Sequence, residues 1–291
     1  MKAVVFGSNG QDGAYLVELL QGRRIETVGV SRSGAWRTAD VSRFADVELV
    51  VREVRPDLIF HLAANSTTRH DTLFENHETI STGALNILEC ARKHCPGARI
   101  FLAGSGVQFH NAGEPINEET PFEASSPYAV ARIQSVFAAR YFRSLGMRIY
   151  VGYLFHHESP RRRPTHLSRM IALAAQRIAA GVQQELSLGD ISVVKEWMFA
   201  GDAMRAVLRL VEQDDVFEAV IGTGEGHSVQ EWLEQCFSRV GLLWQDHVRT
   251  KEGFQAEYGC LLSRPARIMS LGWRPEVTFA ALADMMMVQG E

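Results

Sequence analysis

The sequence is poor in the residues that staple or metallate a small domain. Cysteine occurs four times, at Cys90, Cys95, Cys236 and Cys260, with no CxxC pair, and the ten histidines include no HExxH spacing. Neither a disulfide framework nor a zinc site is expected, and no metal is assigned. An excess of one charge is also missing: 30 Lys and Arg stand against 34 Asp and Glu, a net charge of −4. A mildly acidic chain is not expected to bind nucleic acid. Long apolar runs are absent too. The best candidate, Met170 to Val182, is broken by Gln176 and Arg177, so no membrane partner is expected. The opening Met1-Lys2-Ala3-Val4-Val5-Phe6 meets Gly7 at once, too early for the core of a secretion signal, and a cytoplasmic location is expected. Internal repeats and polar linkers are likewise missing.

Hydrophobic residues, at 46%, suffice for a substantial core, and 291 residues suit one or two domains. Short β-branched runs at 3–6, 27–30, 58–62, 100–103 and 149–154 alternate with helically spaced stretches at 14–20, 44–54, 79–94 and 128–145. Strands without internal polar alternation, separated by helices, describe a parallel sheet covered on both faces. Right-handed crossovers then give an α/β fold with a doubly wound parallel sheet. The second half is less regular, with helical patterns at 165–180, 201–212, 228–240 and from about 279, and a short strand at 218–221. The expected organisation is a nucleotide-binding domain over 1–155 and a small substrate-binding domain over 156–291, with 197–225 returning to the first sheet.

The first strand runs into Gly7-Ser8-Asn9-Gly10-Gln11-Asp12-Gly13 and then a helical pattern. Glycines at this spacing permit a tight turn, close approach of backbone amides to a pyrophosphate, and tight packing of helix on strand. A dinucleotide is therefore expected on residues 7–12. The second strand ends in Val30-Ser31-Arg32, where an acidic residue would accept from a ribose hydroxyl. Arg32 suits a 2′-phosphate instead, which favours NADP over NAD. Asp40-Val41 stands where it can meet the adenine. Further on, Ser126-Pro127-Tyr128-Ala129-Val130-Ala131-Arg132 places a phenol and a cation four residues apart on one helix face. Such a pair can relay a proton to a sugar oxygen during hydride transfer, and Ser105 at the end of the fourth strand can bond the same oxygen. Ser105, Tyr128 and Arg132 are the expected catalytic residues. Ile133, Phe137 and Tyr141 form a stripe on the same helix that either packs on the sheet or meets a second copy of the chain.

Taken together, the glycine loop, His61-Leu62-Ala63-Ala64-Asn65-Ser66, Ser126-Pro127-Tyr128, Leu154-Phe155-His156-His157-Glu158-Ser159-Pro160-Arg161-Arg162 and Leu271-Gly272-Trp273-Arg274-Pro275 resemble the extended short-chain dehydrogenase/reductases, and within them the GDP-mannose 4,6-dehydratase subgroup. The resemblance implies a Rossmann sheet and NADP bound by Gly7, Ser8, Asn9, Gly10, Gln11 and Asp12, with Asp40 and Val41 at the adenine. It places Leu62, Ala63, Ala64 and Ser66 on the path to the nicotinamide ribose, and His157 and Arg162 against the cofactor. His156, Arg169 and Lys195 would hold a nucleotide-sugar substrate, expected to be GDP-linked. Ser105 stands where the subgroup has Thr, and three departures stand out. The Glu two residues later, which moves protons during water elimination, is Val107. The Lys after Tyr is Arg132, which keeps its charge but cannot give up its proton. The loop after Arg32 is also shorter than the one that assembles tetramers in the subgroup, so a homodimer is expected. Hydride transfer at the sugar C4, as in a reductase or epimerase, survives these changes better than dehydration. Were turnover abolished, the chain would be a cofactor- and sugar-binding paralogue acting as partner or sensor.

Overall fold

A computed structural model describes residues 1–288. In chain order the first half contains β1 (Lys2–Phe6), α1 (Gln11–Gly22), β2 (Glu26–Ser31), β3 (Arg37–Thr38), α2 (Phe44–Val54), β4 (Leu58–His61), α3 (Leu73–Asn76), α4 (Gly83–His94), β5 (Arg99–Ser105), α5 (Pro127–Ser144) and β6 (Arg148–Leu154). The second half contains β7 (His157–Glu158), α6 (Leu167–Ala179), β8 (Leu186–Leu188), β9 (Val194–Lys195), β10 (Met198–Phe199), α7 (Ala200–Val211) and β11 (Glu218–Ile221). It ends with β12 (His227–Ser228), α8 (Val229–Ser238), β13 (Val248–Thr250), β14 (Cys260–Leu261), α9 (Ala266–Ser270) and α10 (Phe279–Met287).

Seven parallel strands form the main sheet in the order β11-β6-β5-β4-β1-β2-β3. The strands are apolar on both faces because both faces are covered. Val4, Phe6, Ile59, Ile100 and Ile149 face a core shared with α2, α4 and α5. Val5, Phe60, Phe101 and Tyr150 face a second core shared with α1 and α7. The strand order reverses between β1 and β4, where a doubly wound sheet opens a crevice at its carboxyl edge. A separate core built by α6, α8 and α10 with β8 and β13 stands over that edge. Before it is complete, the chain goes back to the sheet: α7 packs on α1, and β11 pairs with β6.

One helix departs from regular geometry. Between α3 and α4 the chain runs through a π-helical stretch, His77–Thr82, without leaving the helix. Such widened turns free carbonyls from the i to i−4 ladder. Ile80, in this stretch, packs against Tyr128 and Ala131 of α5, and its carbonyl accepts from Ser135 Oγ at 3.2 Å. Among the described residues no helix is long and apolar enough to cross a membrane, and no group of three His, Cys, Asp or Glu side chains is placed to hold a metal.

Candidate active site

A crevice of about 780 Å³ lies between the carboxyl edge of the sheet and second-half residues that include Arg161, His166 and Tyr258. Its floor is the glycine loop. Gly7 turns at φ +96°, and a Cβ there would fall 2.6 Å from the Ala63 amide; a Cβ on Gly13 would fall 2.3 Å from the Gly7 carbonyl. Only glycine lets the loop pass this close to β4 and lets α1 start this close to β1. The first amides of α1 have no partner within the helix, and Gln11, Asp12 and Gly13 line the crevice with Gly7, Asn9 and Gly10. A cradle of backbone donors at a helix N-terminus fits a dinucleotide pyrophosphate.

The loop is bolted to the segment after β6. Ser159 Oγ donates to Gln11 Oε1 at 2.8 Å, and His157 Nε2 lies 3.0 Å from Asp12 Oδ1. The other ring nitrogen of His157 lies 2.7 Å from the Phe155 carbonyl. Both nitrogens face acceptors, so Asp12 raises the His157 pKa although burial opposes it. Burial alone would raise the Asp12 pKa, yet the charge and hydrogen bond of His157, with the charge of Arg162, hold it down to about 2. The ionised Asp12 on the floor is thus held beside His157 and within the field of Arg162.

Beside it sits a buried carboxylate to which sequence reasoning gave no role. Glu158 is 1% exposed. It accepts from Ser168 Oγ at 2.6 Å, contacts His156 Nε2 at 2.7 Å and contacts Arg162 Nε at 3.1 Å. Against the effect of burial, the charge of Arg162 first, then the contacts with His156 and the Ser168 hydroxyl, hold it well below the ordinary carboxylate range. Burial, with the charge of Lys195, lowers the His156 pKa to about 4. Glu158 therefore orients His156 and Arg162, which both line the crevice. The His-Glu-Ser-Pro-Arg-Arg run displayed this carboxylate together with His156 and Arg162, while Ser168 comes from α6. Tyr258, Thr68 and Arg69 also line the crevice; they lie in irregular segments with no motif to mark them.

The far wall carries Ser105, Tyr128 and Arg132, brought together by the end of β5 and the start of α5. Ser126 caps α5 by accepting from the Ala129 amide at 3.2 Å, and Pro127 occupies the first turn, so the helix starts one residue before Tyr128. The Arg132 guanidinium carbon lies 5.0 Å from the Tyr128 ring centroid, and Nη1 donates to the Ala103 carbonyl at 2.5 Å. Gln108 accepts from the Ser105 amide at 2.8 Å and shapes the turn after β5. Val107 follows on the same wall and packs against Ile80, Tyr128 and Ala131.

Leu62, Ala64, Ser66 and Arg32 also line the crevice. Arg32 lies at its mouth, 3.5 Å from Glu75, with both side chains about half exposed. Six expected residues are not brought to the crevice. Ser8 is buried, its hydroxyl donating to Val5 O at 2.7 Å and accepting from the Val30 amide, so it braces the loop. Asp40 is occupied by the Ser42 amide and hydroxyl at 2.9 and 2.8 Å. Val41 is packed in the core against Gly83. Ala63 alternates away from Leu62 and Ala64 into the same core. Arg169 is turned toward the last helix, with Nη1 donating to Met286 O at 2.7 Å. Lys195 lines a smaller hollow of about 200 Å³ with Phe254, Glu257 and Tyr258. Its ammonium lies 4.8 Å from the Trp197 ring centroid, and burial lowers its pKa to about 8.

A family model described as GDP-mannose 4,6 dehydratase matches residues 4–286. Two Arabidopsis thaliana proteins, GDP-mannose 4,6 dehydratase 1 and 2, are 32% and 31% identical over 317 residues, covering 98% of this chain and 88% and 85% of theirs. Among solved structures, RMD from Pseudomonas aeruginosa complexed with NADPH superposes with a TM-score of 0.86 at 21% identity, over 98% of this chain and 97% of that one. Thermus thermophilus UDP-glucose 4-epimerase in complex with NAD superposes with a TM-score of 0.85 at 24% identity, over 99% and 98%. The two structures establish the fold, and the near end-to-end family match goes further: this chain belongs to the GDP-mannose 4,6-dehydratase family of nucleotide-sugar enzymes.

Proposed function

We propose that the protein is an NADP(H)-dependent oxidoreductase that transfers hydride at C4 of a GDP-linked sugar and does not complete 4,6-dehydration. The carrying observation is the composition of the far wall, where Tyr128, Ser105 and a buried cation share the crevice with Val107 in place of a carboxylate. A valine cannot move a proton between C5 and C6, so elimination of water lacks its acid and base. Hydride transfer needs only that the C4 oxygen lose or gain a proton as the C4–H bond breaks or forms. Tyr128 would exchange that proton, Ser105 would hold the oxygen, and Arg132 would stabilise the phenolate form by its charge. The nicotinamide, when bound, supplies the hydride acceptor or donor. Asn9, Gly10 and Gln11 would hold the pyrophosphate and Arg32 the 2′-phosphate, with His157 and Arg162 closing the other side. NADPH in the Pseudomonas aeruginosa structure and GDP-mannose in the relatives' names support the cofactor and the nucleotide.

The test is turnover with NADP(H), supplying either GDP-mannose or its 4-keto-6-deoxy derivative and following nicotinamide absorbance. Hydride transfer to or from one of them is expected, with no dehydration of GDP-mannose. Tyr128→Phe should lower kcat by about 100-fold or more while cofactor affinity, read by fluorescence titration, stays within about twofold. Tight NADP(H) binding without transfer in either direction would favour a second reading, a binding-only paralogue. Its motive is that one end of the Arg132 fork is already spent on Ala103.

A further inference from the structure

Around the catalytic wall, the buried polar atoms without a hydrogen-bond partner among the described residues include Nδ1 of His61 and Nε of Arg132, beside Nε2 of Gln108. The first two are opposite in character. His61 Nε2 lies 3.3 Å from the Ile80 carbonyl, and a carbonyl only accepts, so the ring proton sits on Nε2. Nδ1 is then a bare lone pair. Burial, reinforced by the charge of Arg132, drops the His61 pKa to about 4, which keeps the ring neutral under ordinary conditions. Arg132 Nε carries a hydrogen that it cannot lose. One orphan accepts and the other donates.

The sheet brings them to the same place. His61 ends β4 and is paired in register with Leu102 of β5. Arg132 Nη1 is anchored to the carbonyl of the next residue, Ala103. Neighbouring strands run about 4.8 Å apart, so this anchor lies beside the strand that carries His61, and the Arg132 charge is felt at the imidazole. His61 is itself well fixed. It is 1% exposed, its Nε2 is seated on the π-helical stretch, and a Cβ on Gly83 would already come within 3.2 Å of that nitrogen.

We propose that His61 is a positioning residue for Arg132, accepting at Nδ1 from the Arg132 Nε–H through one buried water and so fixing the plane of the guanidinium against Tyr128. A planar fork held at one end swings about that bond; held at both ends, it does not. A water between a bare acceptor and an unpaired donor completes both groups. A lysine at position 132 would offer no second donor of fixed direction, so this arrangement belongs to the arginine. The inference rests on the reading of Tyr128 and Arg132 as the proton-transfer pair.

The test uses the full chain labelled with nitrogen-15. The Arg132 Nε–H resonance, assigned by its loss in Arg132→Lys, is expected to exchange slowly with solvent, and His61 to show the Nε2–H tautomer between about pH 5 and 8. His61→Asn places its Oδ1 where the ring has Nδ1, one bond from Cγ, and should keep the slow exchange. His61→Leu should accelerate it by about tenfold or more; His61→Gln, whose amide reaches the Nε2 position instead, should do the same and serves if the leucine variant does not fold. In turnover, His61→Leu should lower kcat by about tenfold or more with KM within about twofold, and His61→Asn should restore most of it. Unchanged Nε–H exchange in both the leucine and glutamine variants, or an Nδ1–H tautomer, overturns the proposal. Slow exchange that depends on residue 61, in a protein that turns over no substrate, upholds the pairing and counts against the functional reading alone.

Discussion

Under the proposed function, Val107 decides which chemistry the far wall can support. It is half buried in a small cluster with Ile80, Tyr128 and Ala131, so a carboxylate placed there would be partly desolvated and its pKa raised, as a proton shuttle requires. The double variant Val107→Glu, Arg132→Lys is expected to gain dehydration of GDP-mannose about tenfold or more above the parent, scored by chromatography of the 4-keto-6-deoxy product. No gain would mean that these two positions do not separate this chain from dehydratases. The glycine loop, Ser105, Tyr128 and Arg132 were legible as single residues because their spacing is local: strand, turn and helix follow within a few positions. Glu158 and His61 were not. Their roles depend on Ser168, Ile80 and Arg132, which fold against them from other elements, and sequence distance hides such partners.

At the scale of elements, the stripe on α5 faces outward. Phe137 is 57% and Tyr141 61% exposed, while Val136, Ala139 and Phe142 of the same helix pack toward the sheet. Leu85, on the α4 helix beside it, is also exposed. An apolar outer face on two adjacent helices suits a second copy of the chain, and we expect a homodimer through α5. Sedimentation at micromolar concentration should give the dimer for the parent and the monomer for Phe137→Glu, Tyr141→Glu; a parent that sediments as a monomer excludes the interface. The long strands and amphipathic helices were readable from their periods. The two-residue β3 was not, because so short a pairing leaves no pattern. The helix beginning at Leu73 was read as starting at Thr79, since the π-helical stretch shifts the apolar face and breaks the 3.6-residue rhythm.

For the molecule as a whole, its buried histidines set the response to acid. His61 and His156 are both held to about 4 by burial first and neighbouring cations second. The unfolded chain binds protons on them near pH 6.5, so between those values it binds more protons than the native state. Stability therefore rises with pH across this interval, and each histidine costs up to roughly 3 kcal/mol when acidified through it. Denaturant midpoints should fall as pH drops from about 6.5 toward 4, and His61→Gln should flatten the slope. A slope that is unchanged in that variant would show that the ring is not the titrating group.

The late return of the chain to its first sheet has a consequence for synthesis. β11 covers the outer edge of β6, and α7 covers the face beside α1, yet both are made only after α6 and β8 of the separate core have been translated. A nascent chain that ends near Leu154 carries an open strand edge and a bare hydrophobic face as it leaves the ribosome. The first half cannot mature ahead of the rest, and cutting the gene between the two halves would release an aggregation-prone fragment in place of a free-standing module.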